Sequence, residues 1–275
     1  MLTLSNVKFF DVWHGIPFKG FDAEDFRVQH RYDEIWVASP LHERLYLERY
    51  GFEREKVKVT GYARTDRLVT CAETEDELLR RFALEATRGR KRVLFAPTWK
   101  QDAAGRSGFP FGAEAPAFFA GLEAVCQRTN AVLLFRAHLN SAEGRDLAAA
   151  GNVIAVPFAD HPDTEGLLQL SDVLVCDWSS IAFDYLLLDR PTIFLDVPSP
   201  FAKGFSLGPE YRFGAIAPDM PTLLDRLERA LSDPADYHWE FSVRHADIRE
   251  RVYAEFADGH AAERCVARLR QALAQ

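Results

Sequence analysis

Short apolar runs rich in Val, Ile, Leu and Phe alternate along the chain with amphipathic stretches, a pattern that predicts parallel strands covered by helices. From Arg92 onward the alternation is regular. Strands are expected in RVLFAP (92–97), AVLLFRAH (131–138), NVIAVP (152–157), DVLVCD (172–177) and PTIFLDV (191–197), with FGAIAP (213–218) a weaker sixth. Helices are expected at 116–129, 141–150, 164–170 and 179–189. A further one in MPTLLDRLERALSD (220–233) has Leu223, Leu224, Leu227 and Leu231 on one face. That is a complete doubly wound α/β unit.

Before Arg92 the same grammar is cut short. VKFFDVW (7–13), DEIWVAS (33–39) and VKVTGY (57–62) read as strands, and PLHERLYLERYG (40–51) as a helix capped by Gly51. These strands make about half of such a unit. Polar residues between Thr70 and Glu77 mark the expected boundary, and beyond Asp233 only helical patterns remain. The expected organisation is a partial N-terminal α/β lobe over 1–74, a Rossmann-like domain over 75–233, and helices over 234–275 that pack back across both.

A length of 275 residues suits two domains, and 48% hydrophobic with 27% charged residues is the composition of an ordinary globular protein. No apolar run approaches the ~20 residues of a membrane span, and Met1–Phe10 lacks a signal-peptide pattern; a cytoplasmic protein is expected. Cys71, Cys126, Cys176 and Cys265 lie too far apart for a disulfide framework or zinc site, so reduced thiols and no metal are expected. A net charge of −8 argues against a nucleic-acid surface. The basic run Arg88–Arg92 reads as a solvated turn, or alternatively as a contact to anionic lipid or polymer.

In open α/β sheets ligands bind beyond the carboxyl ends of the strands. His14 follows the first strand, Arg64 and Asp66 the third, Pro97 and Thr98 the fourth, Arg136 and His138 the fifth, and Asp177, Ser179 and Ser180 the strand DVLVC. Ser179 and Ser180 stand where a helix N-terminus would favour an anion, or where a serine simply caps a helix. Asp184, one turn on, suits ligand hydroxyls. Arg136 and His138 point the same way along an extended segment, as a cation and a proton carrier at an anionic centre would. His14 sits in WHGIPFK, whose Gly15 and Pro17 make a rigid turn; it reads as a general base or as a buried structural imidazole. Arg64, Lys100 and Thr98 suit phosphate, or equally surface ion pairs and caps. Walker, G-x-G-x-x-G and G-x-S-x-G motifs are absent from the sequence.

Taken in order, WHGIPFK, GYARTD, APTW, RAH and CDWSSIAFD resemble the CDP-glycerol glycerophosphotransferase family of teichoic-acid and capsule biosynthesis, from about Phe10 to Asp196. The resemblance implies a glycosyltransferase-B-like fold with the nucleotide on the C-terminal half and the acceptor on the N-terminal half. It implies transfer of glycerol phosphate from CDP-glycerol to a polymer or lipid-linked hydroxyl, with CMP released, at the inner face of the membrane. By the same resemblance His14 is the base and His138 the second catalytic histidine. Gly15, Ile16, Pro17, Phe18, Arg64, Pro97, Thr98, Arg136, Ala137, Ser179, Ser180 and Asp184 then hold the donor. No cofactor is expected; the partners expected are a CDP-alcohol and the acceptor.

Ile16, Ala63, Thr65, Leu139 and Trp178 depart from the family's usual Thr, Pro, Asn, Pro and Tyr, which keeps ribitol or another activated donor open. Family members carry several further elements ahead of the WHG loop. The expectation is therefore an abbreviated N-terminal lobe, with three readings open: a true start that lies upstream, completion by a partner chain or a second copy, or a donor-binding remnant. The alternatives are a nucleotide-sugar glycosyltransferase or epimerase of similar fold, and a non-catalytic CDP-alcohol-binding subunit.

Overall fold

The computed structural model describes residues 7–13, 15–98, 109–136 and 152–274. Its first sheet is three-stranded and parallel, with β1 (Phe10–Val12), β2 (Glu34–Val37) and β3 (Val57–Val59) side by side in chain order. Between β2 and β3, α1 (Pro40–Glu48) starts where the Ser39 hydroxyl accepts from the His42 amide and Pro40 takes the first helical position. The small sheet packs on an aromatic cluster of Phe26, Tyr46, Tyr50 and Phe52, joined by Ile35, Val37 and Val57.

The connecting segment forms α2 (Asp66–Thr70) and α3 (Glu75–Arg81), the second opened by a capping box between Thr74 and Glu77. The second sheet contains β4 (Lys91–Phe95), β5 (Ala131–Phe135), β6 (Val153–Ala155), β7 (Val173–Cys176), β8 (Thr192–Leu195) and β9 (Ala215–Ala217). All neighbours are parallel, in the order β6-β5-β4-β7-β8-β9. Strands β5, β7 and β8 are buried throughout, which explains why their sequences are unbroken apolar runs. The strand order reverses between β4 and β7, so the crevice of the fold opens beyond Phe95 and Cys176.

Helices α4 (Ala115–Arg128), α5 (Thr164–Leu170), α6 (Ile181–Leu186) and α7 (Met220–Ser232) cover this sheet, with α4 against α7. The helix expected over 179–189 is shorter, because Trp178–Ser180 turn before it and Asp189 leaves it with φ +50°. The helix expected at 141–150 lies outside the described residues. The helix α8 (Pro234–Tyr253) begins earlier than its apolar pattern, since the Asp233 carboxylate accepts from the Asp236 amide and Pro234 occupies the first turn. It packs on α6 and α7 and reaches α1.

The helix α9 (Ala261–Leu273) returns to the small sheet. The Asp66 carboxylate accepts from the Ala261 and Ala262 amides at 3.0 and 2.7 Å, and Arg264 Nε donates to the Thr60 carbonyl at 2.8 Å. The basic run before β4 is spent locally. Arg88 pairs with Asp76, Arg90 donates to Asn152 at 2.6 Å, and Arg92 donates to the Leu170 carbonyl and to Glu75. The four cysteines are free thiols. Among the described residues no helix is long and apolar enough to cross a membrane.

Candidate functional site

The loop after β1 is zipped to the segment after β8. Gly20 N donates to Gly204 O at 2.8 Å, Ser206 N to Phe18 O at 2.9 Å and Leu207 N to Pro17 O at 3.2 Å, with Lys19 and Phe205 paired antiparallel. The approach is close enough that a Cβ on Gly20 would lie 2.4 Å from the Lys203 carbonyl oxygen. Lys203 fastens the flank through Asp22 and Asp25, each at 2.8 Å, and Arg49 and Tyr50 bond to Phe205 and Ser206. Phe18 stacks on Phe183 at 4.6 Å, and Ile16 is fully buried; both side chains anchor the loop in the larger core.

This strap holds the loop against the strand ends at the switch point. The cleft between them has a volume of about 180 Å³ and is lined by Gly15, Pro17, Thr98, Ser179 and Ser180, with Trp13, Trp178 and Phe201 forming aromatic walls. That volume is below the ~300 Å³ of a typical small-molecule site, so it suits one portion of a nucleotide rather than the whole. Asp177 ties two of the lining residues together, accepting from the Thr98 amide at 2.7 Å and its neighbour Trp178's amide at 2.6 Å. Burial raises the Asp177 carboxyl above its usual range, against those hydrogen bonds. The Thr98 hydroxyl is buried beside the same carboxylate, which it helps to hold down against burial. Trp178 is immobilised, its indole bonded to the Val197 carbonyl at 2.9 Å and its ring covered by the Arg212 guanidinium at 3.6 Å.

Behind Ser180 stands a charged pair. Arg64 Nη2 donates to both Asp184 oxygens at 2.8 Å, and Arg64 Nη1 lies 4.0 Å from Glu165. Burial drives the Asp184 carboxyl up to about 6, with Arg64 opposing that rise and Glu165 adding to it. Gly15 meets this group, since a Cβ there would lie 3.0 Å from Ser180 Oγ and 3.6 Å from Arg64 Nη2. Arg136 is turned elsewhere. Its guanidinium donates to the carbonyls of Val156 and His161 at 3.3 and 2.9 Å and to the Thr164 hydroxyl at 2.8 Å, fixing the approach to α5.

Thus Gly15, Pro17, Thr98, Ser179 and Ser180 share one cleft, and Arg64 with Asp184 adjoins it. His14, Ala137 and His138, like Lys100, lie outside the described residues. The α6 helix has six residues, so its dipole is short and the serine hydroxyls themselves are the stronger feature. In place of an open acceptor for ligand hydroxyls, Asp184 is an ion-pair partner.

Sequence reasoning did not single out Glu165, Phe201 or the Gly204–Leu207 strap. Glu165 had only a first-turn position to mark it, and the strap only a glycine in a polar loop.

The sequence model of the CDP-glycerol:poly(glycerophosphate) glycerophosphotransferases matches residues 1–271. The chain belongs to this family. It is 28% identical over 277 residues to the teichoic acid ribitol-phosphate polymerase TarK of Staphylococcus aureus, covering 93% of this chain and 50% of the polymerase. It is 24% identical over 283 residues to a teichoic acid glycerol-phosphate transferase of the same species, covering 93% and 69%.

Among solved structures, the wall teichoic acid polymerase TagF superposes with a TM-score of 0.78 at 20% identity, over 99% of this chain and 70% of that one. This family member therefore has the α/β, glycosyltransferase-B-like fold of TagF, and it spans about half the length of the first curated relatives it matches.

Proposed function

We propose that this glycerophosphotransferase-family chain moves glycerol phosphate from CDP-glycerol to a hydroxyl of a teichoic-acid-like or capsular polymer, releasing CMP. The observation that carries the reading is the switch-point cleft, where Thr98, Ser179 and Ser180 converge on Gly15 with Arg64 alongside. Hydroxyls and a guanidinium around a small cleft suit a diphosphate, whose equatorial oxygens carry the spread charge of the transition state. A solved form of TagF was soaked with CDPG, which supports the donor class, and TarK's name supports ribitol phosphate as a second donor to test.

In the proposed reaction the His14 imidazole takes the proton of the acceptor hydroxyl as its oxygen attacks the glycerol-bearing phosphorus. The bond from that phosphorus to the bridging oxygen breaks, and CMP carries the electron pair away. His138 belongs to the same reading through family resemblance, as the group that meets charge on the departing phosphate, whereas Arg136, held by Val156, His161 and Thr164, serves the site by fixing the approach to α5. Pro97 and Ala137 belong to the donor site through family resemblance, and Ile16 and Phe18 support it by burying the loop's apolar side chains. Arg64, paired with Asp184, is a cation beside the cleft, and no cofactor is assigned. The acceptor is a polymer or lipid-linked chain met at the cytoplasmic face of the membrane.

The test is CMP release on incubation with CDP-glycerol and a glycerol-phosphate-primed acceptor, with CDP-ribitol in parallel. Release with either donor supports transfer, and its ratio assigns the alcohol. Binding of UDP-sugars in preference to both CDP-alcohols would overturn the reading in favour of a sugar-nucleotide enzyme.

A further inference from the structure

We infer that Tyr62, backed by His42, is a positioning residue that fixes the Gly15–Ile16 peptide in the cleft wall. The inference rests on the transfer reading only in taking that loop to be part of the working site. Tyr62 is 1% exposed, and its hydroxyl lies 3.3 Å from the Gly15 carbonyl oxygen and 3.3 Å from His42 Nδ1. His42 is fully buried in the first turn of α1, and its Nε2 has no partner among the described residues.

A phenol has one proton and here faces two candidate acceptors. Were the His42 proton on Nε2, it would be a buried donor with nothing to bond, and either Nδ1 or the Gly15 oxygen would go unserved. With the proton on Nδ1, His42 donates to the Tyr62 oxygen and Tyr62 donates to Gly15, so only the Nε2 lone pair is bare. Burial, which drives the His42 pKa down to about 3, keeps the ring neutral as that arrangement needs. The tautomer therefore points the phenolic proton at the loop.

A planar trans peptide sends the Ile16 N–H to the edge opposite the Gly15 carbonyl. Ile16 is fully buried, so the bond from Tyr62 to the Gly15 carbonyl fixes this peptide plane from beneath the cleft wall that Gly15 forms. Gly15 is confined on another side by Ser180, whose Oγ is 3.0 Å from where a Cβ would stand. The Tyr62 ring also carries the Arg64 guanidinium 5.6 Å from its centroid. One buried phenol thus touches both the loop and the cation of the site.

The decisive comparison uses the full chain with Tyr62→Phe, His42→Leu and His42→Asn; the last keeps an N–H near the Nδ1 position. Hydrogen exchange over residues 13–20 and steady-state kinetics with CDP-glycerol are measured together. Tyr62→Phe and His42→Leu should speed exchange of this segment and lower kcat by about fivefold to tenfold, the worth of one hydrogen bond, while KM stays within about twofold. His42→Asn should recover most of both losses. Unchanged exchange in Tyr62→Phe, or a kcat within about twofold of the parent, overturns the assignment. A parent chain that releases no CMP would defeat the transfer reading, and the exchange comparison would still decide the role of Tyr62. Should His42→Leu fail to fold, Tyr62→Phe against His42→Asn makes the same comparison.

Discussion

Replacing Gly20 by alanine tests how the cleft loop is held. The new methyl would meet the Lys203 carbonyl oxygen at 2.4 Å, the Gly204 oxygen at 2.6 Å and the Gly204 carbonyl carbon at 2.8 Å, all backbone atoms that cannot rotate away. Relief requires the two segments to separate by about 1 Å, which takes the 2.8 Å bond between Gly20 N and Gly204 O out of hydrogen-bonding range. Overpacking of this kind costs ~1–3 kcal/mol and a lost backbone hydrogen bond ~1 kcal/mol more, so the expected destabilisation is about 2–4 kcal/mol. In a chain of this size that lowers the melting midpoint by roughly 3–7 °C. Gly204→Ala is the matched control. Its φ of +69° makes alanine unfavourable, but a Cβ there meets nothing within 4 Å, so about 1 kcal/mol is expected.

Thermal melts of both variants, with hydrogen exchange over 16–20 and CMP release, make the comparison. A Gly20→Ala chain that melts within about 1 °C of the parent, or a Gly204→Ala chain that loses more, would refute the strap as the loop's support.

Three further outcomes are expected. His14→Ala should abolish CMP release while calorimetric affinity for CDP-glycerol stays mostly intact; full turnover would remove His14 from the base role. Asp184 keeps its proton up to about 6 when folded against 3.8 when unfolded, so the stability it contributes is complete below 3.8 and is lost as pH rises through 6. The parent should therefore lose at most about 3 kcal/mol relative to Asp184→Asn between pH 4 and 7, and parallel stability curves would contradict this. Finally, the proposal that transfer needs no metal expects EDTA to leave the rate within about twofold; a rate restored only by a divalent cation would overturn it.

The parallel architecture was legible because buried strands must be apolar on both faces, as in Leu133 and Leu134 or Leu174 and Val175. Even the weak FGAIAP run forms an edge strand, β9, where half-burial explains its thinner signal. Local rules also located Thr98, Ser179 and Ser180, since strand ends at a switch point are set by topology. Pairing across the chain was not legible. Arg64 and Asp184 are 120 residues apart, and nothing local to either says that they meet. Arg136 likewise carries no mark that the carbonyls of Val156 and His161 claim its guanidinium. Tyr62 reads as one more aromatic at a strand end, and only burial beside His42 and Gly15 distinguishes it.

The helix α9 has a consequence for how the molecule is made. The segment Thr60–Asp66, which bears Tyr62 and Arg64, is pinned by residues 195 and 204 positions downstream, through Asp66 to Ala261 and Arg264 to Thr60. At ~5–20 residues per second a ribosome needs roughly 10–40 s to travel that distance. Through that interval the six-stranded sheet can emerge and fold while the Arg64 arm is still unlatched. The Arg64 side of the cleft is thus completed late in synthesis, and a nascent chain halted short of α9 would carry the six-stranded sheet without the latch on this segment.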